Sequence, residues 1–439
     1  MSTQASITAV RGKLVYFIDD PFLTDVESSF RYIPDGLLIT KNGVISAVGP
    51  YDQVKNELPE GITPVHYKNH LISPGFIDTH IHYVQTEIIG AFGRQLLDWL
   101  NEYTFVAEQQ FKDKTYADAM AKIFCEELLR NGTTSALVFC AVYPESVDAL
   151  FEEANRKNMR LVAGKVLMDR NAPEKLLDTA QTGYDDSKAL IKKWHKNGRS
   201  LYAITPRFAP TSTPEQLEMA GALWSEHKDV YVQTHISENL AEIEWVKDLF
   251  PKHKGYYDVY EKFGLTGRRS VLAHGVHLTE EEMCRCHETG TAIAHCPTSN
   301  FFLGSGLFKI NQAKDPKRPV HVGMGTDIGA GTSFSMLQTL NESYKMAQLN
   351  NYPLDSLKAF FLATLGGAQA LDLDDKIGTF KVGHEADFVI LDPESTPLLK
   401  TRNERVKSIE EQLFVLMTLG DDRAVKATYV AGQLAHSRD

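Results

Sequence analysis

The hydrophobic pattern of this chain changes character twice. Up to about residue 71 it consists of short strand-like runs. Residues 36–40 and 44–48 flank Lys41-Asn42-Gly43, and Asn-Gly between two such runs signals a hairpin. The far end has the same texture: the run 386–391 stops at Asp392-Pro393, and 427–430 leads into Ala431-Gly432 and a further short run. The two ends, 1–71 and 375–439, are expected to fold together as one small β domain.

Between them, in 72–374, eight apolar runs rich in β-branched residues recur at 71–82, 134–140, 160–169, 201–208, 230–238, 270–277, 291–297 and 320–327. The stretches between them carry helical signatures. Residues 116–130 are apolar at helical spacing and stop at Asn131-Gly132; Thr213-Pro214-Glu215 opens a helix with a cap and a first-turn proline; 187–196 reads as a third, closed by Asn197-Gly198. Eight strands alternating with helices predict an α/β fold, a (β/α)8 barrel of the TIM type. A doubly wound open sheet fits less well, because no Gly-x-Gly-x-x-Gly turn follows an early strand. The loops around Asp374-Asp375 and 396–403 read as ordinary surface connections.

Composition narrows the class. The 439 residues are 43% hydrophobic and 23% charged, as in globular proteins, and the net charge is −11. Such a surface repels a nucleic-acid backbone, so no polymeric DNA or RNA partner is expected. Five cysteines, odd in number and widely scattered, make no disulfide framework and suggest a reducing compartment. The start of the chain lacks a basic segment followed by an apolar run, and no stretch approaches a membrane span, so a cytoplasmic protein without a membrane partner is expected.

The candidate chemistry lies at the ends of the eight runs. His80 and His82 share one face of an extended strand, with Asp78 two positions earlier. Arg207 ends the fourth run, His235 and Glu238 the fifth, His274 the sixth and Asp327 the eighth. The C-terminal rim is where barrel active sites sit. Three imidazoles and a carboxylate suit zinc or ferrous iron, which assigns His80, His82, His235 and Asp327 as ligands. Glu238 is the candidate proton shuttle. Each residue also has a plain structural reading: His274 as a core histidine, Arg207 as the partner of a rim acid, Asp327 as a helix cap. What favours chemistry is their joint occurrence at successive strand ends.

PGFIDTHIH (74–82), THISE (234–238), LAHG (272–275) and GMGTDIG (323–329) resemble the metal-dependent amidohydrolase superfamily in its mononuclear deaminase branch. A bridging lysine would end the fourth strand in the binuclear branch; Arg207 stands there instead. Within the branch, LLDWL (96–100) with YTF (103–105), TPRFAP (205–210), CPTSN (296–300) and GTDIGAGTS (325–333) are similar to the guanine deaminase family. One departure is Val106, where that family more often carries proline. The resemblance implies hydrolysis of guanine to xanthine and ammonia by a metal-activated hydroxide, in purine catabolism or salvage. It further implies one zinc ion per subunit (ferrous iron being the alternative) and a homodimer. Glu238, His274 and Asp327 are the implied catalytic groups. The implied substrate contacts are His82, Gln85, Leu97, Trp99, Arg207, Phe208, His235, Glu238, His274 and Asp327. Two rivals remain at this point: another deaminase or chlorohydrolase of the same branch, and an inert scaffold on the same fold.

Overall fold

The computed structural model describes residues 6–92 and 96–438. Its strands are β1 (Ile7–Phe17), β2 (Phe30–Lys41), β3 (Val44–Pro50), β4 (Val65–Pro74), β5 (Phe76–His82) and β6 (Thr133–Phe139). They continue as β7 (Arg160–Gly164), β8 (Val166–Leu167), β9 (Leu201–Pro206), β10 (Tyr231–Ile236) and β11 (Ser270–His274). The last are β12 (Ala292–His295), β13 (Val322–Met324), β14 (Phe388–Leu391), β15 (Val425–Val430) and β16 (Gln433–Ser437).

Two sheets result. One runs β13-β12-β11-β10-β9-β7-β6-β5 with parallel pairing between neighbours, β8 pairing with β9. Its edges meet: Thr79 Oγ1 donates to the Met324 carbonyl at 3.0 Å, and the Asp327 amide donates to the His80 carbonyl at 2.9 Å. This is the expected barrel, closed at the seam between β5 and β13. Six of its strands contribute Ile77, Leu137, Val162, Ala203, Val271 and Ala294 to one buried cluster with Ala368, Leu371 and Ile377.

The other sheet has the order β16-β15-β14-β4-β1-β2-β3 and takes strands from both ends of the chain. Its β2–β3 hairpin turns at Asn42-Gly43, as the sequence predicts. The run 71–82 divides at Gly75. Its first part belongs to β4 in the terminal sheet, and the rest forms β5 of the barrel. A Cβ on Gly75 would stand 2.2 Å from Thr134 Oγ1, so only glycine lets the chain pass from one sheet to the other against β6.

Helix ends follow local capping chemistry. Lys114–Arg130 starts after Asp113, whose side chain accepts from the Thr115 amide, and Pro214–Glu226 starts after Thr213 with its proline in the first turn. The third predicted helix begins earlier than expected, at Ala180, because Thr179 and Thr182 form a reciprocal cap. Residues 397–403, expected as a loop, form a helix (Pro397–Asn403) opened by Thr396, the same Thr-Pro signal as at 213–214. All five cysteines are free thiols. Among the described residues no helix is long and apolar enough to cross a membrane.

Candidate active site

The barrel's C-terminal rim gathers the polar strand ends into one cavity. His80 and His82 lie on β5, His235 on β10, and His274 ends β11. Arg207 directly follows β9, and Glu238 and Asp327 sit in the loops after β10 and β13. Several hold unusual backbone: His274 has φ 72°, Asp327 φ 51° and Ser237, beside Glu238, φ 48°. Left-handed residues of this kind persist where surrounding contacts over-determine them.

The side-chain tips converge. His82 Nε2 is 3.2 Å from His235 Nε2 and 3.4 Å from Asp327 Oδ1, and His80 Nε2 is 3.2 Å from the same Oδ1. Donors about 2.1 Å from a tetrahedral cation lie about 3.4 Å apart, so this spacing fits a divalent metal. A ligand atom each from His80, His235, His274 and Asp327 also lies within 4.8 Å of the others. His80 Nε2 is buried without a hydrogen-bond partner, which suits a nitrogen that ligates a metal. Burial, reinforced by the neighbouring rings and Arg207, pushes His80, His82 and His235 well below the usual imidazole range, which leaves them in the neutral, ligating form.

Partners behind the ring nitrogens set their direction. His235 Nδ1 donates to the Arg207 carbonyl at 2.7 Å, which turns its Nε2 lone pair to the centre. Asn300 Oδ1 stands 3.0 Å from His274 Nδ1 and aims the opposite nitrogen at Asp327 Oδ2 (3.7 Å) and Glu238 Oε2 (3.5 Å). Glu238 is buried; desolvation and then the charge of Asp327 raise its carboxyl to about 8, and Ser305 donates to its Oε1 at 3.1 Å. Burial likewise lifts Asp327 to about 6.

Other predicted residues fall as follows. Gln85, Trp99, Arg207 and Phe208 line the same cavity as the histidines, with Leu96, Leu100, Leu303 and Ala330. Leu97 is not among these lining residues. On its helical turn Leu96, Trp99 and Leu100 share one face, and this leaves Leu97 half-buried on the flank. Val106 is exposed and outside the cavity wall. Asp78 does not face the centre: it accepts from the Thr326 hydroxyl and amide and from the His80 amide, binding β5 to the end of β13.

Three supporting residues escaped the sequence reading. Glu108 is fully buried and accepts from Arg207 and Gln85. Ser305 comes from a loop with no pattern. Glu242 Oε2 accepts from the Glu238 and Asn239 amides at 2.9 and 3.0 Å, holding the loop that carries Glu238. Its spacing from Asn239 is that of a capping box, a signal the sequence does contain.

Comparison with known proteins agrees with this geometry. The model of the Amidohydrolase family matches residues 71–435. Guanine deaminase of Escherichia coli (strain K12) is 54% identical over 442 residues, covering 100% of both chains. The solved E. coli guanine deaminase superposes with a TM-score of 0.96 over 98% of this chain and 100% of that one. A guanine deaminase from C. acetobutylicum, solved with guanine in its active site, gives a TM-score of 0.87 at 29% identity, covering 98% of this chain and 100% of that one. The chain belongs to the amidohydrolase family, among its guanine deaminases.

Proposed function

We propose that the protein hydrolyses guanine to xanthine and ammonia, using one divalent cation held by His80, His82, His235 and Asp327. The observation that carries this is that His82 Nε2 stands 3.2 Å from His235 Nε2 and 3.4 Å from Asp327 Oδ1, beside a buried Glu238. His82 is preferred to His274 as the fourth ligand. Its Nε2 lies 3.2 Å from His235 Nε2 and 3.4 Å from Asp327, whereas His274 Nε2 is 3.7 Å from Asp327 and also faces Glu238 at 3.5 Å. A cation held there supplies acidity, bringing a bound water's pKa near neutrality.

The chain's own groups do the rest. Arg207 and Gln85 receive the polar edge of the purine, with Trp99, Leu100 and Phe208 as apolar walls. With Oε1 held by Ser305, Glu238 keeps Oε2 toward the reacting centre, where it passes one proton of the water to a ring nitrogen and the second to the departing amine. His274, aimed by Asn300, positions the attacking oxygen. Water supplies the oxygen that joins C2, the C2–N bond breaks, and ammonia carries away the exocyclic nitrogen.

Ammonia release from guanine, before and after chelation and after reloading with zinc or ferrous ion, tests this reading. Activity that survives complete metal removal contradicts it. Zinc is our choice of metal, since the N₃O donor set suits it. We also infer a homodimer, as the family resemblance implies, and a cytoplasmic setting, which the five free thiols suit, with residues 1–71 and 375–439 forming a unit apart from the catalytic barrel of 72–374. Sedimentation, cell fractionation and limited proteolysis test these three points.

A further inference from the structure

Glu108 lies on the short helix Phe105–Glu108, which packs against Arg207. One turn of that helix delivers two contacts to the guanidinium: the Phe105 ring, 5.3 Å from Arg207 Cζ, and the Glu108 carboxylate, whose two oxygens each lie 2.9 Å from Arg207 Nη1. The pair is almost wholly buried, with side chains 3% and 0% exposed. Desolvating a buried ion pair of this kind offsets most of its Coulombic gain, so its main effect is to fix the orientation of the groups around it.

The same carboxylate accepts from Gln85 Nε2 at 3.2 Å. A carboxylate has only acceptor positions, so it binds the amide nitrogen and rejects the amide oxygen. Gln85 is thereby turned one way round, and its Oε1 packs over Gly329. A Cβ at Gly329 would stand 2.1 Å from that oxygen, and its φ of 120° is in glycine's range. Arg207 engages Glu108 through Nη1 alone; among the described residues Nε and Nη2 have no protein hydrogen-bond partner. The cavity wall therefore presents guanidinium donors next to an amide acceptor.

We infer that Glu108 is the specificity-setting positioning residue of this site: by holding Arg207 as a donor and Gln85 as an acceptor, it selects purines with a 6-oxo group beside a protonated N1 and rejects those with a 6-amino group beside an unprotonated N1. The inference rests on the guanine reading above and deepens it. A 6-amino purine would set donor against donor and acceptor against acceptor, leaving buried polar groups unpaired, a mismatch that costs recognition sites up to about 10⁴-fold.

The test pairs guanine with 2,6-diaminopurine, which keeps the reacting 2-amine and reverses the 6/N1 edge. The wild-type protein is expected to favour guanine by about 10³-fold or more in kcat/KM. In Glu108→Gln the amide at 108 accepts either orientation of Gln85, so the preference should narrow about tenfold or more. The KM for guanine should rise more than kcat falls, with metal content unchanged by elemental analysis. Glu108→Asp should recover part of the preference, which a merely structural loss would not. If Glu108→Gln fails to fold, Gln85→Leu in the otherwise native protein should narrow the preference to a similar degree. An unchanged preference and KM in a folded Glu108→Gln, or an unchanged preference in Gln85→Leu, overturns the inference while leaving the guanine activity intact. A wild-type protein that releases no ammonia from guanine overturns the functional reading itself, and this inference with it.

Discussion

The Nδ1 of His235 lies 2.7 Å from the backbone carbonyl oxygen of Arg207. One residue thus serves two parts of the site: its main chain sets the direction of a candidate metal ligand, and its side chain lines the cavity. The two roles separate on mutation because a side-chain change leaves the carbonyl in place. Arg207→Lys is expected to keep metal content at the wild-type level while raising the KM for guanine about tenfold or more, since an ammonium is a point charge without the guanidinium fork. Steady-state kinetics beside elemental analysis reads both, and an unchanged KM removes Arg207 from substrate recognition.

The choice between His82 and His274 as fourth ligand gives opposite metal contents for two similar variants. His82→Ala is expected to lose most of its bound metal and its activity together. His274→Ala should hold metal but turn over at least about a hundredfold more slowly, through loss of a group that orients the reactants. The reverse pattern would make His274 the ligand.

Glu238→Gln preserves the shape and the Ser305 contact but cannot carry the proton. Turnover should fall by about two to four orders of magnitude with near-normal metal content. Near-native turnover in that variant would leave the proton transfer without its carrier.

At the opposite end of the barrel, Glu385 of the terminal segment pairs with Arg160, at the start of β7, and with Arg199, just before β9; Arg199 also binds Asp387. Burial alone would raise the Glu385 carboxyl, but Arg160 and Arg199 outweigh it and hold it below its ordinary value of 4.5. A carboxylate depressed in the folded state adds stability above its unfolded pKa, and that stability fades as pH falls through the folded pKa. Glu385→Gln should therefore lower the unfolding midpoint at neutral pH, at a cost of about 3 kcal/mol for leaving buried arginines underpaired. The gap between wild type and variant should close as pH falls below 4.5. Thermal melts across pH 3 to 8 measure it, and a gap that widens toward acid contradicts the assignment.

Much of this protein was legible from order alone. Strand and helix periodicity, the Asn42-Gly43 turn and the Thr213-Pro214 cap are local signals, and each concerns residues within one turn or one strand pair. The histidines, Arg207, Glu238 and Asp327 were readable because a parallel barrel places every strand's C-terminal end on one rim, so position along each run already implies position in space. What only the folded chain decided is which groups stand behind those residues. Nothing local marks Glu108 in an apolar helical stretch as the partner of Arg207, 99 residues away, or Ser305 as the donor to Glu238, 67 residues away. The same holds for the division of one apolar run at Gly75 between two sheets, which depends on Thr134 pressing against it from β6. Local chemistry selects the turn or strand a residue can occupy. Its burial and its hydrogen-bond partners come from chain segments that only packing brings into reach.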